Sequence, residues 1–91
     1  MTTKLYLGNL PLSASEADLR LMFGRFGTVE SVAIVTDVAS GRRTRYGLVD
    51  MASEDEARAA IGRLNMTQYD DVTMSVSKAQ MNNLYAAPTR V

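Results

Sequence analysis

The chain has 91 residues, of which ten are lysine or arginine and ten are aspartate or glutamate, so its formal net charge is zero. A neutral chain is not steered to nucleic acid by its overall charge, and any contact with phosphate must come from a local basic cluster. The absence of cysteine and histidine excludes a disulfide framework, a thiolate metal site and the commonest general base. No apolar run approaches the roughly 20 residues of a membrane span, and no secretory apolar segment begins the chain. We therefore expect one small cytoplasmic domain without a cofactor.

The beginning of the chain predicts a strand followed by a helix. Residues 4–8 alternate, which places Tyr6 on one side of a strand and aliphatic side chains on the other. Ser15, with Asp18 three residues later, is typical of a helix start, because the hydroxyl caps the helix and the acid reaches back. Apolar residues then follow at helical spacing, and Gly27 is the predicted C-cap.

Two more strands follow this helix, separated by a basic loop. Residues 29–37 are rich in β-branched side chains and predict a second strand. Residues 38–43 form the predicted loop. Residues 45–51 predict a third strand, in which Tyr46 lies opposite the aliphatic side chains.

The second half of the chain repeats the helix and strand signals. Ser53 begins a second predicted helix with the same capping pattern, and this helix ends near Asn65. Asp70 and Asp71 are predicted turn residues. Residues 72–78 alternate as a fourth strand, with threonine and serine on the outward side.

The predicted order is β-α-β-β-α-β, two split βαβ units of the ferredoxin-like α+β class. Right-handed crossovers give a four-stranded antiparallel sheet with both helices on one face. The first and third strands become central neighbours, which brings Tyr6 beside Tyr46 on the opposite face. The domain is predicted to span residues 1–79, and residues 80–91 form a tail.

Two segments of the chain resemble the sequence motifs of the RNA recognition motif (RRM) family. The sequence Leu-Tyr-Leu-Gly-Asn-Leu at residues 5–10 matches the family hexamer at every position. The segment Thr-Arg-Tyr-Gly-Leu-Val-Asp-Met at residues 44–51 is similar to the family octamer, and residues 23–29 and 36–42 also look like the family. The whole chain resembles bacterial proteins that consist of one such domain. The resemblance implies binding of single-stranded RNA on the open side of the sheet.

The octamer departs from the family pattern at four positions. Thr44 stands where a basic residue is usual, and Arg45 stands where glycine is usual. Leu48 replaces one exposed aromatic ring, and Met51 replaces an inward one. Losing a stacking ring lowers affinity by roughly 1–3 kcal/mol per base, so we expect modest affinity.

The predicted RNA-binding residues fall into three groups. Tyr6 and Tyr46 stack on bases, and Leu48 gives an apolar contact. Arg42, Arg43 and Arg45 clamp phosphates from the loop between the second and third strands. Lys4 and Lys78, which we expect on the open side of the sheet, are secondary contacts.

Two other functions are compatible with parts of the sequence. An apolar open side, with Ala33 and Val35 beside Leu48, would also suit a protein-interaction or homodimerisation module. An enzyme on the same fold would need a catalytic group, and Asp70 and Asp71 have no histidine or cysteine near them. We therefore expect no enzymatic activity.

The tail has two interpretations that the sequence leaves open. Met81, Leu84 and Tyr85 share one face of a short predicted helix before Pro88. Such a helix is marginal alone, so it either packs on the open side of the sheet or frays as a free terminus.

Overall fold

The computed structural model describes residues 2–37 and 44–79. Their chain order is strand, helix, two strands, helix and two strands. The elements are β1 (Thr3–Gly8), α1 (Glu16–Gly24), β2 (Val29–Asp37), β3 (Thr44–Met51), α2 (Glu54–Leu64), β4 (Thr67–Tyr69) and β5 (Val72–Lys78).

The strands form one antiparallel sheet in the order β2-β3-β1-β5-β4. The predicted pairing of the first and third strands at the centre is confirmed. The prediction of four strands is wrong, because β4 adds a fifth at the edge beside β5.

The fifth strand, β4, forms a hairpin with β5 through a two-residue turn. Asp70 and Asp71 both have positive φ, 49° and 73°, as a two-residue type I′ turn requires. This turn joins Tyr69 directly to Val72 in register. Met66, with φ of 64°, redirects the chain after α2, and its amide donates to the Met74 carbonyl at 2.8 Å.

Serine side chains begin both helices, as the capping pattern predicts. The Ser15 hydroxyl accepts from the Asp18 amide at 3.1 Å. The Ser53 hydroxyl accepts from the Glu56 amide at 3.2 Å. Each cap satisfies an amide that the first helical turn leaves without a partner.

The predicted C-cap at Gly27 is wrong, because α1 already ends at Gly24 with Arg25 as its C-cap. Gly27 instead leaves room for the Glu56 side chain, which passes close to its Cα. A Cβ at Gly27 would collide with the Glu56 side chain, whose Oε1 accepts from the Thr28 amide at 3.1 Å. The second helix does end as predicted, with Asn65 as its C-cap.

The core lies between the two helices and the inner face of the sheet. Its fully buried large side chains come from β1, α1, β3 and β5: Leu5, Leu7, Leu19, Phe23, Val49, Met51, Met74 and Val76. Burying one such side chain stabilises the fold by roughly 1.5–3 kcal/mol. No helix among residues 2–37 and 44–79 is long and apolar enough to cross a membrane.

Candidate nucleic-acid interface

Tyr6 and Tyr46 lie side by side on the face of the sheet opposite the helices. Their ring centroids are 5.6 Å apart, and their planes are inclined by 30°. This geometry follows from the register, in which Tyr6 is paired with Leu48, two residues along β3 from Tyr46. Burial, and then the neighbouring Tyr46, raise the pKa of Tyr6 above its ordinary value, so this phenol is neutral at physiological pH.

The two rings belong to a continuous apolar surface. Leu48 is paired with Tyr6 on β1 and with Ala33 on β2, and Val35 is paired with Tyr46. We call this surface and its polar borders the open face. It consists of Lys4, Tyr6, Ser31, Ala33, Val35, Tyr46, Leu48, Asp50, Thr73, Ser75 and Ser77.

Gly8 leaves room for the Ser75 side chain on the neighbouring strand. A Cβ at this position would be 2.7 Å from the Ser75 hydroxyl, whereas its distance of 3.5 Å from Cε2 of Tyr6 is an ordinary contact. A larger residue would therefore displace the Ser75 hydroxyl and only touch the Tyr6 ring.

A charged cluster lies on the open face beside the apolar surface. The Lys4 ammonium is 3.0 Å from Oδ1 of Asp50 and donates to Oδ2 at 3.1 Å. The Ser31 hydroxyl donates to the same Oδ2 at 2.5 Å. Burial alone would raise the pKa of Asp50, but the hydrogen bonds from Ser31 and Lys4 and the charge of Lys4 outweigh it, so the pKa lies below its ordinary value. Asp50 is therefore a fixed anion, paired with the Lys4 ammonium, beside the apolar surface.

Arg45 is not on the open face, and its predicted part in a phosphate clamp stays a prediction. The alternation along β3 directs its side chain to the helix side, because its neighbour Tyr46 points the other way. Its Nη1 donates to the Pro11 carbonyl at 3.3 Å and also to the Leu12 carbonyl, while its Nε is buried without a hydrogen-bond partner. Arg45 therefore holds the loop that follows β1.

Lys78 is also on the helix side, and the prediction that it lies on the open face is wrong. It is paired with Leu5, a core residue. Its ammonium bonds Oε2 of Glu54 at 2.9 Å, at the start of α2. This bond and the charge of Lys78, with that of Arg58, lower the pKa of Glu54.

The remaining predicted arginines, Arg42 and Arg43, lie outside the described residues. Their part in RNA binding stays a prediction, as do the roles of Tyr6, Tyr46, Leu48 and Lys4. The predicted tail at residues 80–91 lies outside the described residues as well.

Ser31 is a polar residue of the open face that our sequence analysis missed. Its signal was its place two residues before Ala33, on the same side of β2. Within the described ranges, no group of three or more acidic, histidine or cysteine residues is arranged to hold a metal ion.

Comparison with known proteins reveals relatives with the same domain. The chain is 38% identical over 74 residues to the 29 kDa ribonucleoprotein A, chloroplastic, of Nicotiana sylvestris, and the match covers 81% of this chain and 27% of that protein. It is 36% identical over 76 residues to the "Putative RNA-binding protein RbpA" of Synechocystis sp., and the match covers 84% of this chain and 75% of that protein. The chain thus spans about a quarter of the first relative and three quarters of the second.

Solved structures share the fold. A structure described as "SXL-lethal protein/RNA complex" superposes with a TM-score of 0.76 at 28% identity, covering 88% of this chain and 48% of the other. The family model of the RNA recognition motif matches residues 5–75. That match spans both the hexamer and the octamer, so the chain belongs to the RNA recognition motif family.

Proposed function

We propose that this domain binds single-stranded RNA through the open face. The observation that carries the proposal is the pair of tyrosine rings, 5.6 Å apart on a sheet face that the two helices do not cover. Flat aromatic rings on such a face stack on unpaired bases, at roughly 1–3 kcal/mol per base. The names of the relatives, a ribonucleoprotein and an RNA-binding protein, support the same function.

Each residue has an individual role in this proposal. Tyr6 and Tyr46 stack two bases, and Leu48 packs against a sugar or a base edge between them. Lys4 lies at the border of the apolar surface, where its side chain is 43% exposed and within reach of a nucleotide. Arg42 and Arg43 contact phosphates from the loop between β2 and β3. Arg45 and Lys78 take no direct part in this proposal.

The domain acts as a binding module in this proposal and catalyses no reaction. Self-association through the open face and a location in the cytoplasm stay predictions. Sedimentation of the protein at increasing concentration without RNA tests self-association, because a dimer sediments faster than a monomer. A dimer formed through Leu48 and the tyrosines would compete with RNA.

Fluorescence anisotropy with short single-stranded RNA tests the proposal. We expect Tyr6→Ala and Tyr46→Ala each to weaken binding by roughly 1–3 kcal/mol, about 5- to 150-fold. Tyr6→Phe and Tyr46→Phe keep the rings and should bind like the parent, which separates stacking from hydrogen bonding by the phenol.

Tyr69→Phe is the matched control away from the open face. The Tyr69 hydroxyl donates to Asp18 at 2.9 Å, and its ring packs against the core. This variant should bind RNA like the parent. If both alanine variants also bind like the parent while folded, the stacking proposal is wrong.

A further inference from the structure

Asp50 is a well-oriented hydrogen-bond acceptor on a surface whose other groups are aromatic rings, aliphatic side chains, hydroxyls and the Lys4 ammonium. It is the acidic side chain of the open face, and only 20% of that side chain is exposed. Its orientation is fixed by Ser31 on one oxygen and by Lys4 on both. A carboxylate has about four sites at which it can accept hydrogen bonds, and these three contacts leave room for a ligand.

The register of β1 and β3 places Asp50 next to Tyr6 on the open face. In the antiparallel register Lys4 is paired with Asp50, and the next pair on the same face is Tyr6 with Leu48. Tyr6 and Asp50 are therefore diagonal neighbours, whose Cα atoms are about 7–8 Å apart and whose Cβ atoms are somewhat closer. A base stacked on Tyr6 would reach Asp50 with its hydrogen-bonding edge rather than with its face.

The chemistry of that edge distinguishes the bases. Guanine alone presents two adjacent N–H donors, N1 and the exocyclic N2, on its Watson–Crick edge, and beside them the acceptor O6. Cytosine and adenine offer one amino group next to an acceptor, and uracil offers one imino N–H between two acceptors. A carboxylate that accepts from both guanine donors, with a lysine ammonium beside it for O6, complements guanine best.

Lys4 can make room for this contact at small cost. Its bond to Asp50 joins two partly exposed groups, and such surface ion pairs contribute little to stability. Ser31 stays on Oδ2 and keeps the carboxylate oriented, while the ammonium moves from the carboxylate toward O6.

We propose that Asp50, held by Ser31 and Lys4, makes the open face select guanine for the nucleotide that stacks on Tyr6. This inference rests on the proposed RNA binding and adds a base preference to it. A bidentate contact of this kind discriminates against other bases by about 5- to 150-fold.

The test compares five six-nucleotide RNAs by fluorescence anisotropy. Four are uridine hexamers in which one central position is G, A, C or U, and the fifth carries inosine, which retains N1–H and O6 but lacks the 2-amino group. We expect the guanine RNA to bind at least about fivefold tighter than the A, C and U versions, with inosine in between.

Two variants assign that preference to Asp50. Asp50→Asn removes one acceptor and introduces donors, so the guanine preference should fall to within about twofold of the other bases. Asp55→Asn changes charge equally on the exposed first turn of α2 and should retain the preference. Circular dichroism checks that both variants are folded.

The possible results are distinguishable. Equal binding of all five RNAs by the parent would overturn the guanine inference and leave the proposed function standing. A guanine preference that survives in Asp50→Asn would also overturn it, by moving the contact elsewhere. Binding of none of the RNAs would overturn the proposed function and the inference together.

Discussion

Replacing Arg45 with glutamine should destabilise the domain without changing how RNA binding depends on salt. The guanidinium donates to two backbone carbonyls of the loop after β1, those of Pro11, at 3.3 Å, and Leu12. The amide of Leu10, just before these two residues, donates to the backbone carbonyl of Arg45 itself at 3.1 Å. One residue of β3 therefore fixes three successive residues of the loop.

The size of the effect follows from these bonds. A hydrogen bond from a charged donor contributes about 1.5–3 kcal/mol, but the contact with Pro11 is long and that with Leu12 is exposed. We therefore expect Arg45→Gln to cost about 1–3 kcal/mol in the free energy of unfolding. In urea denaturation this lowers the midpoint by about 1–3 M, for an m-value near 1 kcal/mol/M.

The salt dependence of RNA binding is the second readout. Each phosphate neutralised on a single strand contributes about 0.7 to the slope of log affinity against log salt. Arg45→Gln should leave the slope unchanged, whereas Arg42→Gln with Arg43→Gln should flatten it by about 1.4. Unchanged stability in Arg45→Gln, together with a flatter slope, would refute this reasoning and return Arg45 to the phosphate clamp.

Three further predictions concern the open face. Leu48→Phe should tighten RNA binding, measured by anisotropy, because it places a third ring beside Tyr6 at a strand position that tolerates aromatics; weaker binding by the folded variant would contradict this. The hydrogen bonds from Ser31 and Lys4 keep the pKa of Asp50 in the folded protein below its ordinary value despite burial. The contribution of the ionised Asp50 to the free energy of unfolding is therefore complete above the unfolded pKa of about 4 and is lost as the pH falls through the folded pKa. Urea denaturation should therefore give a stability difference between the parent and Asp50→Asn that shrinks below about pH 4, and a constant difference would contradict this. Deleting residues 81–91 should tighten RNA binding if the tail packs on the open face, and unchanged affinity would exclude that role.

Local signals were enough to predict most of the fold. The capping serines Ser15 and Ser53 act on amides three residues away, so their sequence context contains the whole interaction. The strand alternation likewise needs only neighbouring residues, and it placed Tyr6 and Tyr46 on one side of the sheet. The pairing of the two rings then followed from the order of the elements.

The predictions that failed depend on contacts between distant parts of the chain. Gly27 is a glycine because Glu56 of α2 passes over it, and no local pattern contains that information. The strand β4 has three residues, too few to show an alternation, and it exists through its hairpin with β5.

The place of Lys78 was wrong for a different reason. It was expected on the open face together with Lys4, although the alternation that placed Ser77 outward already directed Lys78 inward. The alternation that placed Tyr46 outward likewise directed Arg45 inward, although Arg45 was grouped with Arg42 and Arg43 as a phosphate contact. The fixed orientation of Asp50 likewise depends on Ser31 and Lys4, which come from two other strands.

The most direct test of the account is an NMR titration of the whole chain with a short single-stranded RNA of mixed sequence. We expect amide shifts in β1 and β3, centred on Tyr6, Tyr46 and Leu48, and none on the exposed helix face around Leu21. Shifts confined to the helices, or no shifts at millimolar RNA, would contradict the central claim that the open face binds RNA.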